Sequence, residues 1–245
     1  GTTPSVVTFV CILKACGNIG ALNVGQEIQK QIEKEHLLQN NIVVGNALVD
    51  MYAKCGLLRK AEEVFQKLSM RNVISWTTLI AGYVQHGYGL EALSCFDQMQ
   101  AHQVSPNAVS LVCALKACGI VRALDKGLEI HDDLVRQGFE KDLIVGNSLI
   151  DMYADCGSLI EAEKVFDELR GRNAASWSAL IAGYAQLGQA QNVFYLFKEM
   201  VSDDNIAPDI VTFLVLLMAC SHGGLVDEAF WFFLFVDGIK RTIDH

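Results

Sequence analysis

Proline is scarce in this sequence, with only Pro4, Pro106 and Pro208 among 245 residues. Each proline lies just ahead of an apolar run, where it can end a connection without removing a helical hydrogen bond. Because no other proline interrupts the chain, the sequence favours long uninterrupted helices.

Long apolar runs are also lacking, although 51% of the residues are hydrophobic. No run reaches the roughly 20 residues that a membrane helix needs. The longest candidates, residues 210–220 and 229–236, are interrupted by Ser221-His222-Gly223-Gly224. We therefore expect no membrane partner, and we expect the apolar side chains to be buried between repeated units.

Positive charge is too sparse for a protein that binds nucleic-acid phosphates along its whole surface. The 19 lysines and arginines are outnumbered by 28 aspartates and glutamates, which gives a net charge of -9. This balance argues against sequence-blind binding to nucleic acid. It leaves open the local recognition of bases in a groove.

Signatures of metal binding and catalysis are missing as well. The eight cysteines form no C-x-x-C and no zinc-finger spacing with histidines. Most recur at equivalent positions on apolar helix faces, so we expect reduced core thiols. No zinc-deaminase motif, phosphate-binding glycine loop or Ser/His/Asp arrangement stands out. The sequence predicts no metal, no cofactor and no enzymatic activity for this chain. It begins at Gly1 rather than at a methionine, and we expect a piece of a longer protein.

Internal repetition is the strongest feature present. Residues 44–56 return almost unchanged at 145–157, and residues 75–83 return at 176–184. A third phrase ends at Cys16, Cys118 and Cys220. Such periods indicate a stack of similar units with an extended concave surface. The function should therefore be repeated contacts along an extended partner.

Each unit reads as a helical hairpin. Apolar residues from Val73 to Tyr83 and from Leu90 to Met99 follow helical spacing, and Gly87 and Gly89 separate them. Trp76 and Trp177, at one position of the unit, are predicted to pack between helices. The repeated phrases divide the chain into residues 6–41, 42–72, 73–107, 108–142, 143–173, 174–209 and 210–245. The two short units have about 31 residues, and the other complete units have 35 or 36.

These phrases and the cycle of unit lengths resemble the pentatricopeptide repeat family, specifically its plant-type PLS subclass. Leu115-Lys116-Ala117-Cys118 resembles the L-type motif, residues 145–157 the S-type motif, and Ser75-Trp76 with Gly82-Tyr83 the P-type motif. The resemblance makes 6–41, 108–142 and 210–245 L-type, 42–72 and 143–173 S-type, and 73–107 and 174–209 P-type. The last L-type unit looks like the one that precedes the family's C-terminal extension.

The resemblance implies an all-α solenoid of helical hairpins wound into a right-handed superhelix. It also implies recognition of single-stranded RNA, one base per unit, by the fifth and last residues of each unit. The base-reading residues would be Asn46, Asn72, Thr77, Asn107, Asn147, Asn173, Ser178 and Asp209. Weaker reading is expected at Val10, Asn41, Val112, Asp142 and Leu214, because an apolar fifth residue cannot hydrogen-bond a base. Base-stacking platforms at the second position would be Val7, Val43, Ile74, Val109, Ile144, Ala175 and Val211.

The family's code implies an RNA sequence. Asn with Asn favours a pyrimidine, Thr with Asn favours adenine, and Ser with Asp favours guanine. From the 5′ end, the expected order is unread, pyrimidine, adenine, unread, pyrimidine, guanine, unread. Two alternative interpretations stay open: Asn46, Asn147 and the last residues such as Asn72 and Asn173 are helix caps, and the second-position residues are core residues at helix starts.

The function implied by the resemblance is RNA recognition within an organellar factor for cytidine-to-uridine editing, in a chloroplast or mitochondrion. Proteins of an editing complex would be further partners. The alternative is a protein–protein interaction scaffold, like tetratricopeptide arrays. Those keep a nearly uniform period of about 34 residues, whereas the units here vary in length. The acidic net charge keeps this alternative open.

Overall fold

The computed structural model describes residues 4–139, 141–202 and 206–223. In these ranges the protein is all-helical, with fourteen α-helices and no strand, which confirms the all-α, helical-hairpin fold. The helices are α1 (Val6–Ile19), α2 (Leu22–Lys34), α3 (Leu37–Asn40), α4 (Ile42–Lys54), α5 (Leu58–Gln66), α6 (Val73–Gln85), α7 (Gly89–Ala101), α8 (Ala108–Val121), α9 (Leu124–Arg136), α10 (Leu143–Asp155), α11 (Leu159–Glu168), α12 (Ala174–Gln186), α13 (Ala190–Ser202) and α14 (Ile210–Gly223).

The chain folds as two compact bodies, residues 1–121 and 122–245, here called the N-terminal and C-terminal bodies. In the N-terminal body α1, α4, α6 and α8 pack in sequence, and α2, α5 and α7 each pack on the helix before and the helix that follows in that series. The C-terminal body repeats this arrangement with α10, α12 and α14 in series. Helix α11 packs on α10 and α12, and α13 packs on α12 and α14. Helix α3, which the sequence did not predict, occupies the connection before α4 and buries Leu38.

The last residue of each unit caps the first helix of the next. In α6, the Asn72 side chain accepts a hydrogen bond from the Ser75 backbone N–H at 3.0 Å, and the Ser75 hydroxyl accepts from the Asn72 N–H at 3.3 Å. This capping box supplies two of the bonds that a helix start otherwise lacks. The equivalent caps are Asn41, Asn107, Asp142, Asn173 and Asp209. The interpretation as helix caps is confirmed for these last residues and is wrong for Asn46 and Asn147, which lie inside α4 and α10.

The tryptophans lie in the core, as predicted. Trp76 and Trp177 are each 2% exposed. Their rings meet Phe65 and Phe166 edge-on, with centroids 4.8 and 4.7 Å apart, a geometry that aromatic pairs prefer. Since each phenylalanine comes from the preceding helix in the chain, these contacts join α5 to α6 and α11 to α12.

A tyrosine hydroxyl ties four of the first helices, α4, α6, α10 and α12, to the second helix of the unit before. Tyr83 donates to Glu62 at 3.2 Å, and Tyr184 donates to Glu163. Tyr52 donates to Gln29, and the Tyr153 hydroxyl lies 2.7 Å from His131 Nδ1. Burial, followed by the hydrogen bond and charge of Glu163, raises the pKa of Tyr184 to about 12. The hydroxyl therefore remains a donor at neutral pH.

The eight cysteines, all in the described ranges, are unbridged thiols. Cys16, Cys95, Cys118 and Cys220 are buried, and burial raises the pKa of Cys95 to about 12. The prediction of a core position is wrong for Cys11, which is exposed. Cys11 follows the buried Phe9 by two residues, about 200° around the helix, so it points away from the core.

Two buried glycines allow a direct test of the helix packing. A Cβ at Gly82 would lie 2.7 Å from the Ala53 Cβ of α4, an atom that cannot rotate away. A Cβ at Gly25 would meet only the end of the Met51 side chain, which can change rotamer. We expect Gly82→Ala to lower the free energy of unfolding by about 1–3 kcal/mol, and Gly25→Ala to have a smaller effect. Thermal unfolding followed by circular dichroism at 222 nm measures both, and equal melting temperatures would contradict this packing.

The cap at Asn72 predicts a contrast between two substitutions. Asn72→Ala removes the oxygen that accepts from Ser75, so it should lower the free energy of unfolding by about 1 kcal/mol. Asn72→Asp keeps an oxygen at that place and adds a charge that the helix N-terminus favours, so its stability should stay close to wild type. Urea unfolding at neutral pH distinguishes them, and an equal loss in both variants would show that the cap is not the stabilising contact.

Candidate nucleic-acid interface

The aliphatic residues at the second position of each unit are solvent-exposed. Val7, Val43, Ile74, Val109, Ile144 and Val211 are between 50 and 70% exposed, and Ala175 is exposed too. The interpretation of these residues as core is therefore wrong. In each body, exposed side chains of this kind recur on the first turn of the first helices.

The cap residues retain a polar group for a ligand. Asn107 and Asn72 use Oδ1 to accept from a serine N–H, so the Nδ2 amino group can donate elsewhere. Asp142 and Asp209 also accept through Oδ1, so Oδ2 can accept. An asparagine cap therefore offers hydrogen-bond donors, whereas an aspartate cap offers an acceptor.

Two fifth-position residues of the N-terminal body hold polar atoms without partners. Asn46 Oδ1 and Thr77 Oγ1 are buried, and neither has a hydrogen bond within the described residues. An unsatisfied buried polar group costs about 1–3 kcal/mol. Two such atoms at one repeated position point to hydrogen bonding with something outside the chain.

The fifth-position residues of the C-terminal body are instead bonded internally. Asn147 Nδ2 donates to Asn173 Oδ1 at 3.4 Å, and Asn147 Oδ1 accepts from the Ser176 hydroxyl at 2.7 Å. Ser178 is only 4% exposed, and its hydroxyl lies 2.8 Å from the Thr212 hydroxyl. The structure thus brings Asn147 and Asn173 together, while Ser178 is joined to Asp209 through Thr212.

A single pocket of ≈ 320 Å³ in the N-terminal body combines these features. It is lined by Thr77 and Asn107, the fifth and last residues of unit 73–107, and by Ile74 and Val109, the second-position residues of two successive units. Its volume is at the low end of the roughly 300–1,000 Å³ typical of small-ligand pockets. One flat polar ring could contact an aliphatic side chain on each face and the two polar residues at its edge.

Lys54 and Asp50 line the same pocket, although neither was predicted from the sequence as a site residue. They form an ion pair of 2.9 Å with both side chains about a third exposed. At the equivalent place the C-terminal body carries Asp155, which accepts from Gln186 at 3.1 Å. Of the two copies of this repeated segment, residues 44–56 carry a lysine and residues 145–157 carry an aspartate, so the repeat pattern did not reveal the cation.

The apolar fifth residues among the weaker reading positions offer no hydrogen-bonding group. Val10 and Val112 are half-buried, and Leu214 is 54% exposed. The last residues paired with them by the sequence, Asn41 and Asp142, cap α4 and α10.

The described ranges contain no cluster of three or more His, Cys, Asp or Glu side chains placed to hold a metal ion. Within the same ranges, no helix has the length and apolar character needed to cross a membrane.

Comparison with known proteins identifies the repeats. A model of the PPR repeat family matches residues 71–120 and 172–222, and a model of the PPR repeat matches residues 46–73, 147–173 and 211–235. Pentatricopeptide repeat-containing protein At1g68930 of Arabidopsis thaliana is 37% identical over 97% of this chain. At3g13770, a mitochondrial protein by name from the same plant, is 38% identical over 91% of this chain.

A solved structure shares the fold. The pentatricopeptide repeat protein PPR10 in complex with an 18-nt psaJ RNA element matches 90% of this chain with a TM-score of 0.77 and 24% identity. That match covers 33% of the PPR10 chain, and the two plant relatives are covered over 32% and 36% of their length. The chain thus spans about a third of the proteins it matches, and it belongs to the pentatricopeptide repeat family.

Proposed function

We propose that this chain binds single-stranded RNA and reads one base per unit through its fifth and last residues. The observation that carries this proposal is the N-terminal pocket, where Thr77 and Asn107 lie between exposed Ile74 and Val109, and where Thr77 Oγ1 has no partner within the described residues. The PPR10 structure, which contains RNA, supports the choice of ligand.

The chemistry of the pocket suits a base. Stacking on apolar or aromatic side chains and hydrogen bonds to the base edge are how proteins recognise single-stranded RNA. Asn107 offers amide donors, and the Thr77 hydroxyl can donate or accept. Adenine presents both a donor and acceptors at its edge, so this pair favours adenine.

The other pairs extend the proposed register. Asn46 with Asn72, and Asn147 with Asn173, would read pyrimidines. Asp209 offers a carboxylate oxygen to the ring N–H and amino group of guanine. Because Ser178 is buried, Asp209 would make the direct contact there. Units with Val10, Val112 or Leu214 at the fifth position would not discriminate between bases.

The L, S and P order of the units supports a role in editing of organellar transcripts from cytidine to uridine. In this role the chain selects the transcript, and another domain or a partner carries out the deamination. The organelle is a chloroplast or a mitochondrion, and the relative At3g13770 is a mitochondrial protein by name. A complex of editing proteins would be the second partner.

Lys54 would contribute affinity without base preference. Its ion pair with Asp50 is partly exposed, and such pairs are worth only about 0–1 kcal/mol. A phosphate oxygen of the RNA can therefore take the place of the Asp50 carboxylate. Phosphate contacts position a nucleic acid but do not read its sequence.

The adenine contact predicts the effect of Thr77→Val, which keeps the side-chain shape and removes the hydroxyl. The probe is a short RNA with pyrimidine, adenine, any base, pyrimidine and guanine in the proposed register, together with versions in which adenine or guanine is replaced. We expect the preference for adenine to fall by roughly tenfold, because one base contact is worth about 1–3 kcal/mol. Fluorescence anisotropy gives the dissociation constants.

Thr78→Val is the matched control for this experiment. The Thr78 hydroxyl lies in the same pocket but already donates to the Ile74 carbonyl at 2.8 Å. The Thr78→Val substitution should therefore leave the adenine preference intact. Wild-type binding that ignores the adenine and guanine replacements would refute base reading, and no binding to any RNA would favour the scaffold alternative.

The proposed phosphate contact predicts that Lys54→Ala weakens RNA binding equally for all base sequences. The slope of log binding constant against log salt concentration should decrease in magnitude by roughly 0.7, the value for one contact to a single strand. Lys30→Ala is the control, because Lys30 forms a similar ion pair with Glu27 on α2, away from the pocket. A changed base preference in Lys54→Ala, or an equal salt effect in Lys30→Ala, would refute the contact.

A further inference from the structure

A hydroxyl lies at the third position of four first helices and is fully buried in each. Ser75, Ser110, Ser176 and Thr212 are all 0% exposed. A buried hydroxyl is costly unless it is hydrogen-bonded. Each of these hydroxyls bonds the last residue of the preceding unit, but they differ in what else they reach.

In the C-terminal body, this hydroxyl connects both reading residues of the preceding unit. Ser176 Oγ lies 2.7 Å from Asn147 Oδ1 and 3.0 Å from Asn173 Oδ1. Asn147 Nδ2 completes the triangle by donating to Asn173 Oδ1. The hydroxyl has one proton, and the shorter distance assigns it to Asn147 Oδ1, while the Ser176 backbone N–H donates to Asn173 Oδ1 at 3.0 Å. Both amide oxygens therefore face Ser176, which fixes which edge of each amide remains for a base.

Thr212 repeats this arrangement with different reading residues. Its hydroxyl lies 2.8 Å from Ser178 Oγ and 3.0 Å from Asp209 Oδ1. Two units with chemically different pairs thus share the same bridge. The recurrence indicates that the third-position hydroxyl, rather than one particular pair of side chains, is the common element.

In the N-terminal body the bridge is incomplete. The Ser110 hydroxyl bonds only the backbone N–H and carbonyl of Asn107, each at 2.8 Å. The Ser75 hydroxyl reaches Asn72 Oδ1 at 3.1 Å, and Asn46 Oδ1 has no partner within the described residues. The pair Asn46 and Asn72 is therefore chemically identical to Asn147 and Asn173, but only the second pair is bridged.

We propose that Ser176 and Thr212 are positioning residues that set how strongly the preceding unit discriminates between bases; this inference rests on the proposed function. A bridged amide that rotates to suit the wrong base must break the bonds that hold it. The Asn46 amide oxygen, which has no partner within the described residues, rotates without that loss. Preorganisation of this kind improves recognition without adding any contact to the ligand.

The wild-type chain supplies the first test. The preference for pyrimidine over purine should be larger opposite unit 143–173 than opposite unit 42–72, although both use two asparagines. We expect a difference of roughly three- to tenfold in the ratio of dissociation constants, in line with one hydrogen bond of about 0.5–1.5 kcal/mol. Equal preferences at the two positions overturn the inference.

Substitutions in the full 245-residue chain supply the second test. Ser176→Ala should reduce the pyrimidine preference opposite unit 143–173 by a similar factor and leave the adenine preference opposite unit 73–107 unchanged. Ser176→Thr should keep it, because Thr212 shows that the bridge accommodates threonine. Ser110→Ala is the matched control: it removes an equally buried capping hydroxyl that touches neither reading side chain.

If Ser176 had a purely structural role, Ser176→Ala would lower the melting temperature without changing any base preference. Ser110→Ala should lower the melting temperature and leave the adenine preference opposite unit 73–107 intact. If Ser176→Ala folds and keeps the wild-type preference, or if Ser110→Ala loses as much preference as Ser176→Ala, the inference is overturned while the proposed function stands. A wild-type chain without preference at any unit overturns the proposed function, and this inference with it.

Discussion

The cap that joins each unit to the next is the contact on which the rest of the site depends. A helix start leaves N–H groups without partners, and here the last residue of the preceding unit satisfies them through one oxygen, as in Asn72 and Asp209. That bond holds the side chain through one polar atom and leaves its second polar atom for a ligand. In the proposed function the same residue stabilises the helix and faces the RNA, so the position suits side chains that can do both.

Close packing of the first helices then sets the spacing of these caps. Gly82 lies against Ala53 so tightly that a Cβ would not fit, and Gly183 lies against Ala154 in the same way. The bonds of Tyr52, Tyr83, Tyr153 and Tyr184 hold four of the units against the unit before them. With the helices this close, the fifth and last residues of unit 143–173, Asn147 and Asn173, meet at 3.4 Å.

The sequence predicts the parts of this arrangement that repeat in residue type. Helix character, the caps, and the buried tryptophans all follow from recurring phrases. The partners of Tyr52 and Tyr153 could not be predicted, because Gln29 and His131 differ between equivalent units. The partners of Tyr83 and Tyr184, Glu62 and Glu163, do recur at one repeat position. The bridge through Ser176 could not be predicted either. Ser75 and Ser176 are serines at the same repeat position, and they differ in the orientation of the side chains around them. The unit types and the reading roles stay predictions.

The acidic charge of the chain makes these orientations matter for the proposed function. Non-specific affinity for nucleic acid comes from neutralised phosphates, and the groove carries Lys54 in one unit where the other has Asp155. With few cations, most of the binding free energy must come from stacking on residues such as Ile74 and from hydrogen bonds to base edges. A wrong base then loses a large fraction of the total binding free energy, while the ratio of dissociation constants is set by the base contacts alone. Buried hydroxyls that hold the reading side chains in place would strengthen that preference at no cost in added charge.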